Sequence, residues 1–171
     1  MATTIKIIGF KNSGKTTTIN SFIKFAKNHN ISTFTIKHDV HNGDMDQPNT
    51  DTHSFSDSGS DTVALINQTH LMIKQKITKC FNVNSLINDK YDLFLIEGFK
   101  DNDFKKIIML TDLNKEPFQN MDNIITFASL NSNLCKKDPT IADFSTEIKR
   151  QNWFKNYWSN NEQNKRRTNT F

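Results

Sequence analysis

Three groups of residues in this 171-residue chain have types and spacings suited to phosphate chemistry. The first is Gly9-Phe-Lys-Asn-Ser-Gly-Lys-Thr16, which fits G-x-x-x-x-G-K-[ST] at every fixed position. Two glycines let the backbone close around a polyphosphate, with consecutive N–H groups aimed at its oxygens. Lys15 is placed to reach the outer phosphates and the Thr16 hydroxyl to ligate Mg²⁺, a pattern that predicts a bound nucleoside triphosphate. Lys11, Asn12, Ser13 and Thr17 complete the expected contacts. The second group is Glu97-Gly98, directly after the apolar run Leu93-Phe-Leu-Ile96. An acid there can hold the water shell of Mg²⁺, Gly98 permits close backbone approach, and Lys100 adds positive charge. The third is Lys37-His-Asp-Val-His41, whose side chains could face phosphates, orient water or supply Asp39 as a metal ligand.

Two competing patterns are weaker. His38, His41 and His53, with the nearby aspartates, could form a transition-metal site. A histidine pair on a loop, without a helix or a cysteine partner, is poor support for one. Asn114-Lys-Glu-Pro117 partly matches the guanine-reading Asn-Lys-x-Asp motif but lacks its final carboxylate, so base identity is not legible in these residues.

The elements that must position these groups follow from periodicity. Thr4–Ile8 reads as a buried strand, and Ile19, Phe22, Ile23 and Ala26 give helical spacing from Thr17 to Lys27. Strand, glycine loop and helix is the setting an anion site of this kind requires. Thr33–Lys37 is a second strand. The polar stretch 38–60 is long for a connection and marks a functional loop, with a short helix over Asp51–Asp57 capped by Thr50 or Asp51. Thr62–Ile66 and Leu71–Ile77 flank Asn67-Gln-Thr-His70 as a hairpin. A short helix near Val83–Ile87 precedes strands at Tyr91–Ile96, Lys106–Leu110 and Asn123–Ala128. Ile141 to Trp158 is expected to be helical, with Ile141, Phe144, Ile148, Trp153, Phe154 and Trp158 as its packing stripe.

This order predicts an α/β fold, a P-loop NTPase-like three-layer sandwich with a mostly parallel sheet and an additional hairpin. A single domain over 1–160 and a polar basic tail over 161–171 are expected. In such sheets ligands sit at the carboxyl ends of the strands. The three groups all follow strands, so they are expected to converge.

Composition narrows the partners. A net charge of +4 is mild and partly confined to Lys165-Arg-Arg167, which argues against nucleic acid. No run approaches the 18 or so apolar residues of a membrane span. Met1-Ala-Thr-Thr-Ile leads straight into the first strand, so no signal peptide is expected. Cys80 and Cys135 are isolated, so reduced thiols and a cytoplasmic location are expected. The arginines, Arg150, Arg166 and Arg167, all fall late in the chain, so no arginine finger is evident and any hydrolysis should be slow. A small-molecule kinase would need a substrate base and an arginine-rich lid. A metallochaperone GTPase would need the histidine loop.

Several of these blocks together resemble the molybdopterin-guanine dinucleotide biosynthesis adapter (MobB) family. They are the loop from Gly9 to Thr17, Thr35-Ile-Lys-His-Asp39 with His41, Asp46-Gln-Pro-Asn-Thr-Asp51 with Gly59, and Ile96-Glu-Gly-Phe-Lys100. The similarity runs over about residues 1–110. It implies a homodimer that binds GTP with Mg²⁺, hydrolyses it weakly, and assists a molybdopterin guanylyltransferase. By motif position it assigns Lys15 and Thr16 to phosphate and Mg²⁺, and Glu97 to the second motif's acid. Lys37, His38 and Asp39 carry over as members of a shared block. Asn49, Ser58, Ser60 and Lys105 depart from the family pattern in the loops.

Overall fold

A computed structural model describes residues 2–39, 45–77, 81–99 and 103–168. The chain packs as two compact units, Met1–His38 with Ile87–Phe171, and Asp39–Leu86. In chain order the elements are β1 (Thr3–Gly9), α1 (Lys15–Asn28), β2 (Thr33–Lys37), α2 (Asp51–Asp57), β3 (Thr62–Ile66), β4 (Leu71–Gln75), β5 (Leu93–Glu97), β6 (Lys106–Met109), β7 (Ile124–Ser129), α3 (Ser132–Lys137), β8 (Ile141–Asp143) and α4 (Glu147–Thr168).

The first unit is built on a parallel six-stranded sheet, β2-β5-β1-β6-β7-β8. β1 is buried on both faces, as suits a central parallel strand, although one of its buried residues is Lys6. Ile5 and Ile7 join Phe22 of α1 and Phe154 of α4 in the main core, while Ile8 joins Ile108, Leu110 and Phe118 on the opposite face. Phe22 stacks on Phe154 with ring centroids 4.5 Å apart, locking α1 to α4. From β1 the chain returns beyond β5 to form β2, and from β5 it crosses to β6 on the other side of β1. That reversal opens a crevice at the carboxyl end of β1, where α/β sheets take their ligands.

The second unit holds α2 and the antiparallel β3–β4 hairpin, with Leu65 opposite Met72 and Ile66 opposite Leu71. The Thr50 hydroxyl caps α2 by accepting the His53 N–H at 3.3 Å. Asn67 Oδ1 accepts the N–H groups of Thr69 and His70, which shapes the hairpin turn.

Three features differ from the sequence reading. Ile141–Asp143 forms the edge strand β8 rather than the start of a helix. The i, i+3, i+7 spacing of Ile141, Phe144 and Ile148 imitates a helix. In fact Ile141 and Phe144 enter the core before α4 begins, and Ile148 is left exposed. The short helix α3 lies in a polar stretch with no apolar period to announce it. The backbone of α4 runs on to Thr168, through most of the stretch read as a polar basic tail beyond the domain. Glu, Gln, Lys and Arg are good helix formers and need no apolar stripe to extend one.

Candidate nucleotide site

The cradle follows from backbone conformations that side chains disfavour. Gly9 and Gly14 adopt φ of 147° and 93°, and Asn12 sits between them at 62°. A Cβ on Gly9 would collide with the Met109 carbonyl, and one on Gly14 with the Leu130 side chain. Glycine is therefore required twice over, by dihedral and by space.

Gly14 caps α1 without any side-chain hydrogen bond, and no acid stands in the first turn. The leading N–H groups of the helix are thus left for an anion, at the positive end of its dipole. Ser13 is 3% exposed, and its Oγ has no hydrogen-bond partner among the described residues. An orphaned buried hydroxyl inside the loop fits a site shaped for a further oxygen ligand.

Lys15 Nζ donates to the Phe10 carbonyl at 2.8 Å, so the ammonium lies over its own loop. Thr16 Oγ1 donates to Glu97 Oε2 at 2.9 Å. These atoms are where Mg²⁺ would be held, the threonine oxygen directly and the glutamate through water. Together with Lys11, Asn12, Gly14, Thr17 and Leu130 they line a cavity of about 430 Å³. The residues present therefore fit a magnesium-bound polyphosphate.

Parallel pairing assembles the rest. Ile7 and Lys37 are both register partners of Glu97, so the ends of β1, β2 and β5 lie side by side. Gly98 has φ of 90°, and a Cβ there would crowd His38. The next residue, Phe99, is also left-handed at φ 54°, and its ring stacks on His38 at 4.2 Å. A bulky residue held in that region is strained, and such strain gathers at functional sites.

Of the sequence-predicted residues, Lys11, Asn12, Gly14, Lys15, Thr16, Thr17 and Glu97 line the cavity, whereas Gly9 and Ser13 belong to the same loop but are not among the lining residues. Lys37 is exposed beside Glu97. Asp39 is exposed, belongs to the second unit and is not among the lining residues. His41, Asp44, Cys80 and Lys100 lie outside the described residues. Among the described residues, no group of three histidine, cysteine or carboxylate side chains is placed to hold a metal ion by itself. Lys115 donates to Asp138 at 2.7 Å and to Thr140 at 2.6 Å, and Asn114 Oδ1 accepts the Glu116 N–H, so both are engaged outside the cavity.

The residue that sequence reasoning missed is Leu130. Its approach to Gly14 is a tertiary contact, and no motif surrounds it. Arg150 is buried between α1 and α4, donating to Ser21 Oγ at 2.7 Å and to the Phe144 carbonyl at 2.6 Å. It is committed to packing.

Comparison with known proteins agrees with this geometry. The family model for molybdopterin guanine dinucleotide synthesis protein B (MobB) matches residues 4–130. A molybdopterin-guanine dinucleotide biosynthesis adapter protein of Haemophilus influenzae is 27% identical over 163 residues, covering 88% of this chain and 89% of that protein. One from Escherichia coli is 27% identical over 106 residues, covering 58% of this chain and 61% of the relative. The crystal structure of Bacillus subtilis MobB superposes with a TM-score of 0.66 at 23% identity, over 77% of this chain and 82% of that one, which is a likeness of fold.

Proposed function

This chain belongs to the molybdopterin guanine dinucleotide synthesis protein B (MobB) family, and on that footing we propose that it is a GTP-binding adapter to a molybdopterin guanylyltransferase. Its place in molybdenum cofactor biosynthesis follows from the family. The observation that carries the nucleotide reading is the uncapped start of α1, framed by Lys15, Thr16 and Glu97 around one cavity.

The chemistry of the residues supports this. The loop N–H groups and Lys15 offset phosphate charge in a partly water-excluded cradle. Thr16 and Glu97, hydrogen-bonded to each other, are the residues that would hold Mg²⁺. Mg²⁺ held there would supply positive charge to offset that of the phosphates. No arginine among the described side chains faces the cavity, and Arg150 is tied to Ser21 and Phe144. Lack of such a residue costs phosphoryl-transfer sites roughly 10³–10⁵ in rate, in keeping with slow hydrolysis.

The homodimer is part of the same reading. Ala64, Ile66, Leu71 and Ile73 lie on one face of the hairpin and all are exposed. A two-stranded sheet with an uncovered apolar face is marginal alone and gains by packing on a second copy. Among the described residues no helix is long and apolar enough to cross a membrane. A cytoplasmic location belongs to the proposal.

An adapter that holds GTP beside a partner's active site raises its local concentration there. The test is product formation by a guanylyltransferase at limiting GTP, with wild type and Lys15→Ala added in parallel. Stimulation by wild type alone is expected. No stimulation, or equal stimulation by the variant, overturns GTP delivery.

A further inference from the structure

The lining of the cavity is polar with one exception. Leu130 is its only apolar side chain among the described residues. It follows β7 directly, on a turn pinned by Ser129. The Ser129 hydroxyl donates to the Leu110 carbonyl at 2.9 Å and accepts the Asn131 N–H at 3.1 Å. The leucine is half-buried, packs against the main core and closes over Gly14. A wall held on two sides in this way presents a fixed apolar surface to the cavity.

Sheet order gives that surface a direction. Glu97 ends β5 on one side of β1, and Leu130 follows β7, two strands away on the other. A polyphosphate whose metal-bearing end lies at Thr16 and Glu97 therefore extends toward Leu130, and the group beyond its last phosphate meets the leucine. A phosphate gains nothing from an apolar wall, because it would lose hydration there without a hydrogen bond in return. The carbon face of a ribose or a base does gain.

We propose that Leu130 is the nucleoside-positioning residue of this site, the contact by which the cavity prefers a nucleoside triphosphate to bare polyphosphate. The proposal rests on the nucleotide reading above and adds the seat of the nucleoside to it. Truncating a partly buried leucine removes apolar contact equivalent to about five- to tenfold in affinity.

Titration calorimetry with GTP and with inorganic tripolyphosphate, each with Mg²⁺, tests it on wild type, Leu130→Ala and Leu130→Met. The expected result is a five- to tenfold loss of GTP affinity in Leu130→Ala, tripolyphosphate affinity within twofold of wild type, and recovery of GTP affinity in Leu130→Met. Equal losses for both ligands would mean that Leu130 acts only by holding Gly14 and the loop, and would overturn the proposal. Unchanged GTP affinity in Leu130→Ala would overturn it as well. Wild type binding neither ligand would bring down the nucleotide reading, and this inference with it.

Discussion

Thr16 and Glu97 are 81 positions apart in the chain, yet the threonine hydroxyl donates to the glutamate carboxylate at 2.9 Å. The contact joins the start of α1 to the end of β5, where the proposed phosphate and metal ligands would meet. Replacing Glu97 by Gln keeps an acceptor for Thr16 and removes only charge. Stability without ligand should change by less than about 0.5 kcal/mol, as for ordinary exposed substitutions. Nucleotide affinity measured with Mg²⁺ should fall by about tenfold, and affinity in EDTA should stay level. Calorimetry under both conditions decides. Equal losses would remove Glu97 from the metal site.

Under the proposed function, Lys15 bears on binding alone. Its ammonium rests on the Phe10 carbonyl, a hydrogen bond that water can replace at this partly exposed position. Lys15→Ala should therefore fold like wild type and lose the rise in Tm that nucleotide confers. At roughly 100 times Kd that rise corresponds to about 2.7 kcal/mol in wild type. A variant that keeps it would refute the assignment of the loop.

The hairpin prediction concerns assembly. Ile66 and Ile73 lie on the same exposed face, on neighbouring strands. Lysine at both positions would place two unpaired charges in any interface formed there, a large penalty. Sedimentation should show wild type as a dimer and Ile66→Lys/Ile73→Lys as a monomer that still binds nucleotide. A double variant that remains dimeric would place the interface elsewhere.

Strong acid should break the Lys115–Asp138 contact. The Lys115 ammonium, with Thr140, holds the Asp138 carboxyl at about 2, below its ordinary 3.8. The unfolded chain then binds more protons than the folded one between about pH 4 and pH 2. The contact's stabilisation is complete above that window and is lost as pH falls through it. NMR titration of Asp138 should report the low midpoint. Asp138→Asn should flatten the acid limb of the stability curve in that range, and an unchanged limb would contradict the pairing.

The sequence revealed most where information is local. The loop from Gly9 to Thr16 shows because its conformation demands glycine at fixed offsets. The hairpin shows because Asn67 builds its own turn by accepting from Thr69 and His70. Glu97 is legible because it directly ends the apolar run Leu93–Ile96, whose length and composition suit a buried parallel strand. What stayed hidden depends on distant partners. Ile141–Asp143 becomes a strand only because β7 offers it an edge, with Phe127 opposite Ile141. Leu130 is an ordinary loop leucine until the fold lays it against Gly14.

The placement of β1 has a consequence for how the molecule is made. Thr3 pairs with Leu93, and Lys6 with Lys106, so the strand that carries the phosphate loop waits on both flanks for residues far downstream. α1 can form from local bonds as it is synthesised. The sheet cannot close around β1 until about a hundred residues have been made, a long-range closure that slows folding. The glycine-loop cradle is thus assembled late. If the chain binds GTP as proposed, a growing chain offers no complete site, and the ligand can add stability only after the sheet is built.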